Sequence, residues 1–148
     1  MAVDISTEIV IDRPVNEVAA YAADPDNAPH WYVNIKSVEW RTPRAIEVGA
    51  RIAFIAHFLG RRMAYTYEIV EFVPGARLVM RTAEGPFPME TTYTWEAMGP
   101  NTTRMTLRNR GTPAGFSRSY ASLVAKAMRK ANQKDLASLK RHLEAGSP

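Results

Sequence analysis

At 148 residues and a net charge of +4, the chain has the length of one domain and too little for two ordinary cores. A hydrophobic share of 46% and a charged share of 23%, with no run near the roughly 20 apolar residues that span a bilayer, exclude integral membrane insertion through a helix. The lack of any cysteine excludes disulfide frameworks, thiol nucleophiles, thiolate zinc sites and iron–sulfur clusters.

One α+β domain over residues 1–148 is expected. The opening MAVDISTEIVIDRP lacks the basic start and apolar run of a secretory signal, so a cytoplasmic location is the expectation. The basic residues, among them Arg41, Arg51, Arg77, Arg104 and Lys140, are scattered along the chain. They form no stripe interleaved with aromatics, so nucleic acid is not an expected partner.

Ile5, Thr7, Ile9 and Ile11 alternate with polar or outward positions, the period of a strand with one buried face. Pro14 then suits the first turn of a short helix in which Val15, Val18, Ala19 and Ala22 share a face. That helix ends near Asp24-Pro25, and DPDNAPHWY reads as a loop or short helical turn packing the Trp31 indole inward. Val38 and Trp40 mark a second strand, and the segment from Pro43 to Gly49 breaks the chain before a third.

In the third strand Ile52, Phe54, Ala56 and Phe58 point one way and Arg51, Ala53, Ile55 and His57 the other. Gly60 permits a tight reversal into Met63, Tyr65, Tyr67 and Ile69, making a hairpin of long strands. Pro74-Gly75 fits a type II turn before a fifth strand with Leu78, Met80 and Thr82. A turn at Glu84-Gly85-Pro86 leads to a sixth, with Met89, Thr91, Tyr93 and Trp95 on one face. Gly99-Pro100-Asn101 turns the chain into the last strand, where Thr103, Met105, Leu107 and Asn109 oppose Arg104, Thr106, Arg108 and Arg110. The charged face must meet water, so the other needs a cover. The only element long enough is an amphipathic helix from Thr112 to Glu144, with Thr112 and Pro113 as cap and first turn. Its expected inward stripe is Phe116, Tyr120, Leu123, Ala127, Met128, Asn132, Leu136, Leu139 and Leu143.

A strongly curved sheet cannot collapse fully onto one helix, so a pocket on the order of 300–1,000 Å³ is expected beneath it. Its sheet-side lining would be Phe54, Phe58, Tyr65, Tyr67 and Met80, continued by Met89, Thr91, Tyr93, Trp95, Met105 and Asn109. Phe116, Tyr120, Val124 and Met128 would close it from the helix and Trp31 from the loop. Methionines adapt to varied apolar guests, which makes a hydrophobic small molecule the expected partner. Tyr65, Tyr93 and Glu71 are the candidate catalytic groups, because a phenol can donate to a ligand carbonyl and a buried carboxyl can move a proton. His30, His57 and His142 lie in different elements without metal-ligand spacing, so no metal and no cofactor is expected. Ser117, Ser119 and Ser122 lack the strand-turn-helix setting of a nucleophile elbow, and Gly111 to Gly115 lacks the lysine of a phosphate loop.

The order of elements resembles the START-like, or SRPBCC, helix-grip superfamily, in particular its polyketide cyclase/dehydrase-like branch. The likeness covers nearly the whole chain and rests on several short matches. They are Ile9 and Ile11 before Pro14, Val18, Asp24-Pro25, Trp31, Val48-Gly49, Glu71 with Pro74, and Thr102-Thr103. The resemblance implies a seven-stranded antiparallel sheet wrapped around the C-terminal helix and enclosing a cavity for a hydrophobic or amphipathic, lipid- or polyketide-like molecule. It also implies two alternatives, a cofactor-free cyclase or dehydrase and a chaperone-activator-like interaction module. These matches are structural punctuation and bear on the fold more than on activity.

Overall fold

In a computed structural model that describes residues 3–58, 60–85, 88–111 and 118–145, seven strands form one antiparallel sheet. They are β1 (Val3–Ile11), β2 (Ile35–Trp40), β3 (Arg51–Phe58), β4 (Arg61–Val73), β5 (Arg77–Glu84), β6 (Met89–Gly99) and β7 (Thr102–Gly111). Between β1 and β2 lie α1 (Val15–Ala23), a 3₁₀ turn (Pro25–Asn27) and α2 (Ala28–Trp31); α3 (Arg118–Ala145) follows the sheet. The order β1-β7-β6-β5-β4-β3-β2 makes a meander closed at one edge by the N-terminal strand. This is the helix-grip arrangement of a curled sheet and a long C-terminal helix.

The curl has local causes. Register shifts leave an extra residue between Ile35 and Ser37, between Ile69 and Glu71, and between Ala97 and Gly99. A bulge bends its strand and increases the right-handed twist, so the sheet wraps rather than lying flat. The Pro74-Gly75 turn takes the expected form, with Gly75 at φ 78° and the Ala76 N–H donating to the Val73 carbonyl at 2.9 Å.

One apolar cluster holds α1, α2 and the far half of α3 against the sheet. Ile11, Val18, Trp31, Ile69, Met105 and Leu139 are all buried within it. The end of α3 is tied to the turn after β1. Arg13 donates to the Leu143 carbonyl at 3.0 Å and the Glu144 carbonyl at 3.1 Å, and the Asp12 N–H donates to Glu144 Oε2 at 2.8 Å. The two arginine contacts satisfy helix-end carbonyls that have no partner within the helix. On the wet face of β7, Arg108 pairs with Asp4 and Arg110 with Glu90, as an outward charged face requires.

Two expectations need correction. Leu123, placed on the inward stripe, is 54% exposed, while Ala121 and Val124 are buried. The helix phase that buries Leu136, Leu139 and Leu143 turns position 123 to solvent. Glu71 does not face the interior. The bulge after Ile69 pairs Glu71 with Val79 and Phe72 with Leu78, exchanging the faces, so Phe72 packs on the core. Glu71 instead forms a surface ion pair with Arg77 at 3.0 Å. The connection before β2 takes the helical of its two expected forms, with Asp24 capping the 3₁₀ turn by accepting the Asp26 N–H at 3.0 Å. The Thr112-Pro113 cap, Pro86 and Phe116 lie outside the described residues, as do the side chains of Phe58 and Tyr120.

Candidate functional site

Between the sheet and the middle of α3 lies a cavity of about 160 Å³, partly open to solvent. That is smaller than the expected size of about 300–1,000 Å³. The wall contains nine of the expected residues: Phe54 from β3, Tyr65 and Tyr67 from β4, Met80 from β5, Met89, Thr91 and Tyr93 from β6, Asn109 from β7, and Met128 from α3. Those on the sheet converge because alternate residues of adjacent antiparallel strands share one face. Tyr93 stands opposite Leu107 and Leu78, and Thr91 stands between Met80 and Asn109.

Trp31, Trp95 and Met105 do not line the cavity. They are 1%, 5% and 0% exposed and belong to the solid core behind it. Val124 is buried on α3 but is not part of the wall. Trp31 still shapes the site from behind, its ring centroid 4.1 Å from that of Tyr32 and 5.9 Å from that of Tyr93. Gly85 also makes room: a Cβ there would stand 2.6 Å from the Tyr65 ring.

Four polar residues of the wall were not among the expected lining, although Asn132 stood on the expected inward stripe. Tyr32 and Asn34 come from the segment joining α2 to β2, and Asn132 and Asp135 come from α3. The available signal was a pair of polar residues, three positions apart, intruding on a helix face that continues in leucines. Tyr32 and Tyr93 share a hydrogen bond between their hydroxyls at 2.5 Å. Thr91 donates to Asn109 Oδ1 at 2.7 Å, which ties two expected polar groups to each other. The Tyr65 hydroxyl donates to the Met63 sulfur at 3.3 Å.

Asp135 is the chemically distinctive group. It is 2% exposed, and its Oδ1 accepts the Val33 N–H at 2.8 Å. Burial pushes its carboxyl up from 3.8 to about 7, opposed only in part by that backbone hydrogen bond. Burial also raises the phenols of Tyr32, Tyr67 and Tyr93 above their ordinary value, so they stay neutral hydrogen-bonding groups at physiological pH. Asn132 is 5% exposed, and its Nδ2 has no hydrogen-bond partner among the described residues. The arrangement combines an apolar wall, paired phenols and a carboxyl able to take up or release a proton near neutrality. Among the described residues no three His, Cys, Asp or Glu side chains cluster as a metal ion would need, and no helix is long and apolar enough to cross a membrane.

Known structures share this architecture from end to end. A protein of Thermus thermophilus is 25% identical, with a TM-score of 0.81 over 97% of this chain and 99% of its own. The Zhui aromatase/cyclase of a Streptomyces species is 13% identical, with a TM-score of 0.84 and full coverage of both chains. A START superfamily protein of Mycobacterium smegmatis is 12% identical, with a TM-score of 0.80 over 95% of this chain and 99% of its own. No curated protein sequence matches the chain significantly. The profile of the family described as polyketide cyclase/dehydrase and lipid transport matches residues 2–144, nearly the entire chain, and the protein belongs to that family.

Proposed function

We propose that the protein binds a hydrophobic or amphipathic small molecule, lipid- or polyketide-like in character, in the cavity between the sheet and α3. The observation that carries this reading is the hollow itself, walled by Phe54, Met80, Met89 and Met128 and open on one side. A domain of this size with a well-packed core retains few voids larger than a water molecule, so a lined space of about 160 Å³ calls for an occupant. The family description, which names both cyclisation and lipid transport, is in keeping with this reading. Native mass spectrometry of freshly purified protein is expected to show a bound small molecule that an apolar fluorescent probe displaces. Met80→Trp, which fills the hollow, is expected to abolish probe binding. Unchanged binding in that variant would move the ligand elsewhere and overturn the reading.

A second reading, a cofactor-free enzyme of cyclase or dehydrase type, is favoured by one observation. A buried carboxyl with its pKa near neutrality beside two phenols is suited to proton transfer. The sequence candidates shift accordingly, from Glu71 to Asp135 as the carboxyl, with Tyr93 retained. If a bound compound is converted, Asp135→Asn should lower kcat at saturating ligand by about 10²-fold or more. Unchanged turnover would remove Asp135 from the chemistry, and failure of the wild type to convert any bound compound would leave the binder.

A further inference from the structure

We propose that the cavity selects a one-ring ligand bearing a hydroxyl group, held between Asn132 and Asp135 so that it donates to the carboxylate and accepts from the amide. This deepens the proposed function and rests on it. The first argument is size. Engineered apolar cavities near 150 Å³ bind benzene, so a space of about 160 Å³ takes one aromatic ring and a small substituent. A larger molecule would have to leave most of itself outside the mouth.

The second argument is the pattern of unused hydrogen-bonding capacity. Asn132 Nδ2 is a buried donor without an acceptor, and the only hydrogen bond given to the Asp135 carboxyl among the described residues is the Val33 N–H at Oδ1. Both side chains line the cavity, and they lie three positions apart on one helix face, where Cβ atoms are about 5–6 Å apart. A buried polar group left unpaired is costly, so the ligand is expected to supply what each lacks. An ammonium would suit the carboxylate but would meet the amide N–H₂ donor-to-donor. A carbonyl would suit the amide but would set its oxygen against the carboxylate wherever Asp135 is ionised, above about pH 7. A hydroxyl both donates and accepts, so one group answers the two.

Other polar groups of the wall already have partners within it. Tyr32 and Tyr93 are engaged with each other, and Thr91 with Asn109. The α3 pair presents a donor and an acceptor side by side with capacity to spare.

The test compares para-cresol with para-xylene, which differ by a hydroxyl in place of a methyl, by calorimetric titration at about pH 8.5, where Asp135 is ionised, of the wild type, Asn132→Leu and Asp135→Asn. Asparagine at 135 keeps an acceptor for the Val33 N–H but replaces the free carboxylate oxygen with an N–H₂ donor. The wild type is expected to bind para-cresol about tenfold or more tightly than para-xylene, against the order of their hydrophobicity. Each substitution should shrink that ratio to within about threefold while para-xylene binding persists, which also shows that the variant is folded. Equal wild-type affinities, or a preference that survives both substitutions, would overturn the inference and leave the cavity reading standing. Binding of neither compound would overturn the inference, and failure to bind the apolar probe as well would overturn the cavity reading.

Discussion

The two halves of α3 meet the same sheet with different results. From Leu136 onward the helix contributes Leu136, Leu139 and Leu143 to the main apolar cluster, where they join Trp31, Met105 and Leu107 with almost no exposure. Before that point Met128, Ala131, Asn132 and Asp135 face the hollow, while Ala121 and Val124 are buried outside its wall. The same curved surface is therefore filled where branched aliphatics meet indole and leucine, and left open where small, flexible or polar side chains face tyrosines. Close packing is a property of the side chains supplied, and the protein supplies it on one half only.

The largest expected effect tests that contrast directly. Leu139→Ala should cost about 2–5 kcal/mol in urea unfolding, because it opens a void in a filled region that cannot collapse. Met128→Ala, on a wall that already faces empty space, should cost under about 1.5 kcal/mol and enlarge the binding site instead. Equal losses would mean that the two halves are packed alike.

Asp135 gives the next effect. Its folded pKa, near 7, lies above its ordinary 3.8, so between those values the native state holds a proton that the unfolded chain has lost. The stability this group contributes is therefore full below about pH 4 and is lost as the pH rises through about 7. Asp135→Asn removes that dependence and retains an acceptor for Val33. Relative to the variant, the wild type should lose about 2–4 kcal/mol between about pH 4 and pH 8, read from paired denaturation curves. Parallel curves would place the carboxyl in water and remove the polar half of the comparison.

The strands were legible because alternation is a local signal. Ile5 and Ile11, Met89 through Trp95, and Thr103 through Asn109 all face as their period requires. The wall of the cavity followed from that alternation for Phe54, Tyr67, Met80 and Tyr93. What sequence could not supply was depth: Trp31, Trp95 and Met105 share the inward face yet lie in the filled region, because which part of a face is covered depends on where the helix crosses it. Asp135 was hidden for a related reason. A charged residue on a helix ordinarily reads as solvent-facing, and only the fold brings Val33 and two phenols over it.

A smaller effect belongs to the phenol pair. Tyr93→Phe leaves the Tyr32 hydroxyl without its partner in a buried setting and should cost about 1–2 kcal/mol. The double change with Tyr32→Phe should recover part of that loss, since removing both hydroxyls leaves neither unpaired. Strictly additive losses would show that the two hydroxyls are satisfied independently.

The smallest effect concerns the residue that alternation misplaces. By strict period Glu71 follows Tyr65, Tyr67 and Ile69 onto the inner face, where a carboxyl would govern the chemistry of the cavity. The extra residue after Ile69 sends it outward to Arg77 and brings Phe72 in its place. Glu71→Gln should therefore change unfolding stability by no more than about 0.5 kcal/mol and leave ligand affinity within about twofold, because an exposed ion pair contributes little. Phe72→Ala should cost several times more, since that ring packs on the core. If Glu71→Gln instead impaired binding while Phe72→Ala was tolerated, the strand would run without its bulge. The carboxyl serving the cavity would then be Glu71, and the solid and hollow halves of the fold would have to be redrawn from β4 outward.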